Sequence, residues 1–211
     1  MFRTSFSAVA IILILNIGVF LAWNLSLGEG GPVSTDFMVN NFLVNWSGLE
    51  KGRFWILLTS AFSHNLFFHV FMNMFVLSSF GAAVEATIGL SRFVWFYLAA
   101  AVFSSFCHAA VSAVIMHDPD LPALGASGAV SGVVLLFALL YPQQKILLFG
   151  FIPVPALWAV VIFVGLDLWG LFAQAGGGGL PIGHGAHLGG AFAGLVYYFF
   201  IYRERRRTTV G

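Results

Sequence analysis

The sequence predicts an all-α membrane protein, a bundle of six transmembrane helices whose fourth is short and starts below the membrane surface. Three observations predict it. The first is composition: of 211 residues, 60% are hydrophobic and 8% charged, with a mean hydropathy of +0.95. Soluble domains carry about 25% charged residues, so a soluble fold is excluded. The second is segmentation, with apolar stretches at 6–25, 59–82, 92–114, 127–141, 146–172 and 184–202. The third is the length of the fourth stretch. Between Gly125 and Pro142 there is room for about sixteen helical residues, or roughly 24 Å, against a bilayer core of about 30 Å. Its N-terminal end must therefore lie inside the membrane, shielded by protein or facing a water-filled cavity.

The first helix follows Arg3 and carries the apolar run from Ala8 to Trp23. No small-residue cleavage site follows, so the run reads as a retained helix and not as a signal peptide. The connection over 26–58 is long and mixes Trp46, Phe54 and Trp55 with polar residues, a composition that favours the membrane interface. Positive charge fixes the orientation. Arg3, Arg92, Lys145, Arg203, Arg205, Arg206 and Arg207 fall on one side, seven of the nine basic residues, which makes that side cytosolic and places both termini there. Asp118 and Asp120 fall in the opposite loop; Lys51 and Arg53 are exceptions in the long first loop, where the rule is weaker. The run Gly176 to Gly179 before the sixth helix is the most flexible backbone in the chain. The chain reads as one membrane domain over 1–211, with a core of about 52–202 and a short basic tail over 203–211. Its size and the lack of a transit-peptide pattern point to a bacterial plasma (inner) membrane. The single cysteine, Cys107, excludes an intramolecular disulfide. No basic stripe or recognition motif suggests nucleic acid as a partner; the lipid bilayer is the expected surrounding.

Ser127 and His187 are the principal candidates for chemistry. Each stands some fifteen residues above a cytosolic helix end, at about 22–24 Å by helical rise. Polar residues at such depth are expensive and usually functional, and a serine beside a histidine is the minimal nucleophile and base for acyl transfer. Gly125 and Gly128 bracket Ser127, permitting a sharp turn or close helix packing. In the second helix, His69 and Asn73 share one face, four residues apart, with His64 nearer its outer end. They either donate to a developing oxyanion or tie helices together. His187, Gly190 and Gly194 form a small-residue face that would draw the sixth helix against the fourth. A zinc site built from His64, His69, His184 and His187 lacks the His-x3-His spacing and carboxylate of a helical metalloprotease. No metal or other cofactor is therefore expected. Glu85 reads as a structural partner of Arg92. Asp167 is either packing glue or, if the fifth helix meets His187, a third member of the site. Trp169 and Phe172 either plug an opening against Phe68 or Phe71 of the second helix or face lipid.

These pieces together resemble the rhomboid family of intramembrane serine proteases, over roughly Gly52 to Gly194. The matching motifs are His64-x4-His69-x3-Asn73-Met74, Gly81-x3-Glu85-x3-Gly89-x2-Arg92-Phe93, Gly125-x-Ser127-Gly128 and Ala186-His187-x2-Gly190-x3-Gly194. The resemblance implies a six-helix rhomboid core and a serine–histidine dyad with no acidic third member. It implies Ser127 as nucleophile, His187 as general base and acid, and His69, Asn73 and the Ser127 backbone N–H in the oxyanion hole. His64, Gly125, Gly128, Gly190 and Gly194 would support the site. The substrates implied are single-span transmembrane proteins, cut in or near the outer part of their helix. A non-catalytic relative that binds or escorts membrane clients is the alternative, although such relatives usually lack the serine or the histidine. Two departures stand out. Many rhomboids carry an aromatic residue four positions after the serine, where this chain has Ser131, and a Trp-Arg pair in the first loop, where Trp55 is followed by Ile56.

Overall fold

The first apolar segment folds as α1 (Ala8–Ser26), and its start is fixed by a residue 78 positions away. Glu85 accepts hydrogen bonds from the Ser7 hydroxyl and from the backbone N–H groups of Ala8 and Val9, each at 3.0 Å. These are donors that a helix N-terminus leaves unpaired, and a carboxylate there also meets the positive end of the helix dipole. The pairing of Glu85 with Arg92 expected from sequence does not form; the Arg92 guanidinium donates to the Ile88 carbonyl instead. The computed structural model describes residues 7–26, 33–148, 150–180 and 182–203. Arg3 and the basic tail beyond Arg203 lie outside them.

The long first loop is folded. It contains α2 (Thr35–Phe42), α3 (Trp46–Glu50) and α4 (Ile56–Thr59). Arg53 donates to both the backbone and the side-chain oxygen of Asn40, and the Trp55 indole donates to Asn41. Val44 and Ala123 exchange backbone hydrogen bonds at 2.9 Å, joining this loop to the one before the fourth helix. The second helix does not start at Thr59, as its hydrophobicity suggests. A 3-10 turn (Ser60–Phe62) follows α4, the chain is extended at Ser63 and Leu66, and α5 begins afresh (Phe67–Val76). Ser63-His64-Asn65 offers side chains that compete with helical backbone pairing, and Ser63 accepts from the Trp23 indole at 2.6 Å. His64 thus sits in the non-helical stretch before the helix. Beyond α5 the helix continues through a π-helical turn (Leu77–Gly81) into α6 (Ala82–Ile88), ending at Gly89 with φ +87°, a positive φ that glycine adopts at little cost.

Helix α7 (Leu90–Val114) spans the bundle, and α8 (Ser127–Leu140) is the short fourth helix. The fifth segment is not helical from Ile146. Lys145–Leu148 (β1) and Ile152–Pro155 (β2) form an antiparallel hairpin, and the helix α9 starts only at Ala156 (Ala156–Ala175). Pro153 and Pro155 lack the N–H a helix interior needs, and Gly150 takes φ +82° at the turn. The last segment is α10 (His184–Val196), continued by a π-helical turn (Tyr197–Tyr202). By length and composition, Ala8–Leu25, Phe67–Ile88, Leu90–Val114 and Ala156–Ala175 can cross a membrane, and α8 is a shorter apolar helix.

Helix α8 is the hub. Its Gly128, Ala129, Val130, Gly132, Val133, Leu135, Leu136 and Ala138 are buried among α5–α6, α7, α9 and α10. At 14 residues it is about 20 Å long. Its C-terminal end meets the basic side, where the Tyr141 hydroxyl hydrogen-bonds Thr87 of α6. Its N-terminal end therefore lies within the bundle, as its length requires.

Candidate active site

The seam between α8 and α10 is made by missing side chains. A Cβ on Gly190 would overlap the Gly128 carbonyl, one on Gly194 would lie 2.5 Å from the Gly132 oxygen, and one on Gly132 would lie 2.8 Å from the Gly190 oxygen. Two glycine pairs thus interlock backbone against backbone, the close approach that small residues allow in membrane helices. That approach places His187 of α10 over the first residue of α8. The Ser127 Oγ lies 3.0 Å from His187 Nε2.

Three features hold Ser127 in place. Gly125 takes φ +126°, and its N–H donates to the Ser60 carbonyl at 2.9 Å. A Cβ at Gly125 would press within 2.7 Å of the His69 ring, so the missing side chain also gives that imidazole its seat. The Ala126 N–H donates to His64 Nε2 at 3.4 Å. His64 is fully buried, and as the acceptor of this bond its Nε2 carries no proton. It also packs edge-on against His69, with ring centroids 4.8 Å apart. His64 and Gly125 therefore support the turn, while Gly128, Gly190 and Gly194 support the seam.

Ser127, His187, His69 and Asn73 line one cavity of about 660 Å³. Its other walls come from α7 (Ser104, Ser105, His108), from 121–125, from Gln174 at the end of α9 and from Ile182 beyond it. Asn73 spends one amide donor on the His69 carbonyl at 2.9 Å, leaving a second N–H. The first backbone N–H groups of α8 have no acceptor within the helix. The cavity thus combines a hydroxyl, an imidazole within hydrogen-bond reach of it, and several donors nearby. This set suits attack on a carbonyl and stabilisation of the resulting oxyanion.

Sequence reasoning gave Asp167 no fixed role, and the resemblance implied no acid. The structure brings Asp167 to His187. One carboxylate oxygen, Oδ1, accepts from His187 Nδ1 at 3.0 Å and from His184 Nδ1 at 2.6 Å. A proton on Nδ1 of His187 leaves Nε2 as the acceptor facing Ser127. The ring of His184 lies against Gly170, where any Cβ would overlap it. Asp167 and Gly170 are three apart on α9 and so share a face. The spacing of His184 and His187, also three, was the available signal; their common partner on another helix was not readable. Ser131 donates its hydroxyl to the Ser127 carbonyl at 2.8 Å.

Asp167, His184 and His187 are also, among the described residues, the group whose potential metal-ligand atoms converge, within 4.8 Å of one another. Two ligands on a tetrahedral zinc at about 2.1 Å would stand roughly 3.4 Å apart. The 2.6 Å separation of His184 Nδ1 and Asp167 Oδ1 is that of a hydrogen bond. This group differs from the four-histidine set considered from sequence, whose His64 and His69 lie with the serine turn.

The fold and cavity define a helical membrane protein with a serine–histidine pair inside the bundle. A family model, the Rhomboid domain, matches residues 51–204, and the chain belongs to the rhomboid family. It is 34% identical over 208 residues to RHOMBOID-like protein 12, mitochondrial, of Arabidopsis thaliana, covering 93% of this chain and 59% of that protein. To Rhomboid protein 1, mitochondrial, of Saccharomyces cerevisiae, it is 38% identical over 161 residues, covering 72% of this chain and 45% of that one. To Presenilin-associated rhomboid-like protein A, mitochondrial, of Danio rerio, it is 32% identical over 202 residues, 92% of this chain and 49% of that protein. The chain thus spans about half the length of these relatives. They overturn the expectation of a bacterial plasma membrane and, with it, of cytosolic termini: the relatives matched are mitochondrial proteins. Charge asymmetry tells one membrane face from the other, but not which membrane is crossed.

Proposed function

We propose that this protein is an intramembrane serine endopeptidase that cleaves single-span membrane proteins, with Ser127 as nucleophile and His187 as general base and acid. The observation that carries this reading is the 3.0 Å contact between Ser127 Oγ and His187 Nε2 inside a cavity of the bundle. As Oγ attacks the scissile carbonyl carbon, its proton passes to His187 Nε2. The carbonyl oxygen becomes the oxyanion, facing Asn73, His69 and the N–H groups at the start of α8. The imidazolium returns that proton to the leaving amine, the C–N bond breaks, and an acyl-enzyme ester remains on Ser127. A water molecule, deprotonated by His187, then attacks the ester carbonyl. The second tetrahedral species collapses, the proton goes to Ser127 Oγ, and the acid product leaves. A substrate helix hides its peptide bonds, so segments that unwind easily are the favoured sites. The names of the relatives favour a mitochondrial membrane for this chain as well.

A fluorophosphonate reagent tests the nucleophile. It is expected to label wild type at Ser127, to leave Ser127→Ala unlabelled, and to label His187→Ala poorly, because an unactivated hydroxyl is a weak nucleophile. Equal labelling of wild type and Ser127→Ala would refute the assignment.

A further inference from the structure

We propose that Asp167 is a positioning residue for His187, and that His184 braces the carboxylate in the orientation this requires. The proposal deepens the protease reading and rests on it for its catalytic consequence. An imidazole poised to accept from a serine must present Nε2 without a proton, and its ring plane must stay fixed. Where the family commonly stacks an aromatic ring on the histidine, this chain has Ser131, whose hydroxyl is engaged with the Ser127 carbonyl. Restraint comes from the opposite ring edge, through the 3.0 Å hydrogen bond from His187 Nδ1 to Asp167 Oδ1.

The carboxylate is itself held. His184 Nδ1 donates to the same oxygen at 2.6 Å. Its ring is buried against the bare backbone of Gly170, one turn from Asp167 on α9. His184 is also one turn from His187 on α10, so one oxygen ties two successive turns of α10 to α9. In catalysis the Nδ1 proton stays on His187 throughout. The carboxylate fixes the tautomer and faces the positive charge that appears when Nε2 takes the serine proton, as the acid of a serine triad does. Placement of the general base thereby depends on α9, a helix that contributes no other group to the reaction.

The test compares wild type, Asp167→Asn and His184→Gln as full-length proteins in liposomes, with a model single-span substrate. Asp167→Asn keeps the shape of the side chain and removes its charge. Its kcat is expected to fall at least about 10²-fold with KM within about threefold, the pattern of a lost transition-state interaction. His184→Gln is expected to lose less than about tenfold, since the direct bond to His187 survives. A second readout needs no turnover. In protein carrying ¹⁵N-histidine, with His187→Gln used to assign the signals, resting wild type should show His187 protonated at Nδ1 and bare at Nε2. Asp167→Asn should lose that preference. Asp167→Asn with near-wild-type kcat, or an unchanged His187 tautomer in that variant, would overturn the proposal. So would a kcat loss matched by a fall in thermal midpoint, since that is a packing role. Lack of Ser127 labelling in wild type would instead defeat the protease reading, and the tautomer measurement would still decide whether Asp167 holds His187.

Discussion

The two sides of the cavity are built on opposite plans. On one side, α8 and α10 meet through Gly128, Gly132, Gly190 and Gly194, with backbone atoms in contact and no room for a methyl group. On the other, α5 and α9 present large side chains outward: Phe68 is 71% exposed, Trp169 70% and Phe172 74%. Trp169 and Phe172 do not form the aromatic plug against Phe68 or Phe71 that the sequence allowed; they stand exposed on the outer face of the bundle. The comparison separates two tasks. The seam sets the 3.0 Å distance between Ser127 Oγ and His187 Nε2, on which the proposed chemistry depends. On the opposite side, the proposed protease activity would need a way for an extended peptide to reach the cavity.

The seam should be the more fragile side, and the strongest test of the contrast is a single methyl group. Gly190→Ala is expected to lower both Ser127 labelling and substrate cleavage about 10²-fold or more, because displacing a reacting group by about 1 Å costs that much. The thermal midpoint should also fall, since the new carbon cannot be placed without moving backbone. Gly165→Ala on α9, where nothing lies within 4 Å of the added carbon, should leave labelling and cleavage unchanged. Equal sensitivity at the two positions would break the comparison.

An intermediate effect is expected on the donors. Asn73→Ala and His69→Ala should each reduce turnover by about 10²-fold, the usual cost of one oxyanion donor. The double variant should lose less than the product of the two, because both act on one charge. Wild-type turnover in both single variants would make these residues packing groups. The smallest effect belongs to the open side. Trp169→Ala and Phe172→Ala should change cleavage of an embedded substrate by no more than about twofold, as substitutions of exposed groups generally do. Strong acceleration would sharpen the account differently, by showing that these side chains obstruct entry after all.

What could be read from sequence, and what could not, follows the same division. The serine turn and the seam were legible because local rules govern them. A glycine before and after Ser127, glycines four apart on α10, and a fourth segment too short to cross all have direct geometric meaning. Contacts between distant segments were not. Glu85 was matched to its sequence neighbour Arg92, whereas the helix start that needs a carboxylate belongs to α1. Asp167 stayed undecided because its role depends on how α9 and α10 face each other, which hydrophobic periodicity in a membrane helix does not specify. Helix boundaries failed where polar or proline residues interrupt an apolar run. Ser63 to Leu66 is non-helical before the second helix, and the two prolines of Ile152–Pro155 turn a presumed helical start into a hairpin.

The most direct test of the central claim is cleavage of a model single-span protein, co-reconstituted with this chain in liposomes, followed by mass analysis of the products. Wild type is predicted to release a fragment cut in or near the outer part of the substrate's transmembrane segment. Ser127→Ala and His187→Ala are predicted to leave the substrate intact while folding to the same thermal midpoint. Cleavage by Ser127→Ala at the wild-type rate would contradict the account, and so would an intact substrate with folded wild-type protein across a panel of single-span sequences.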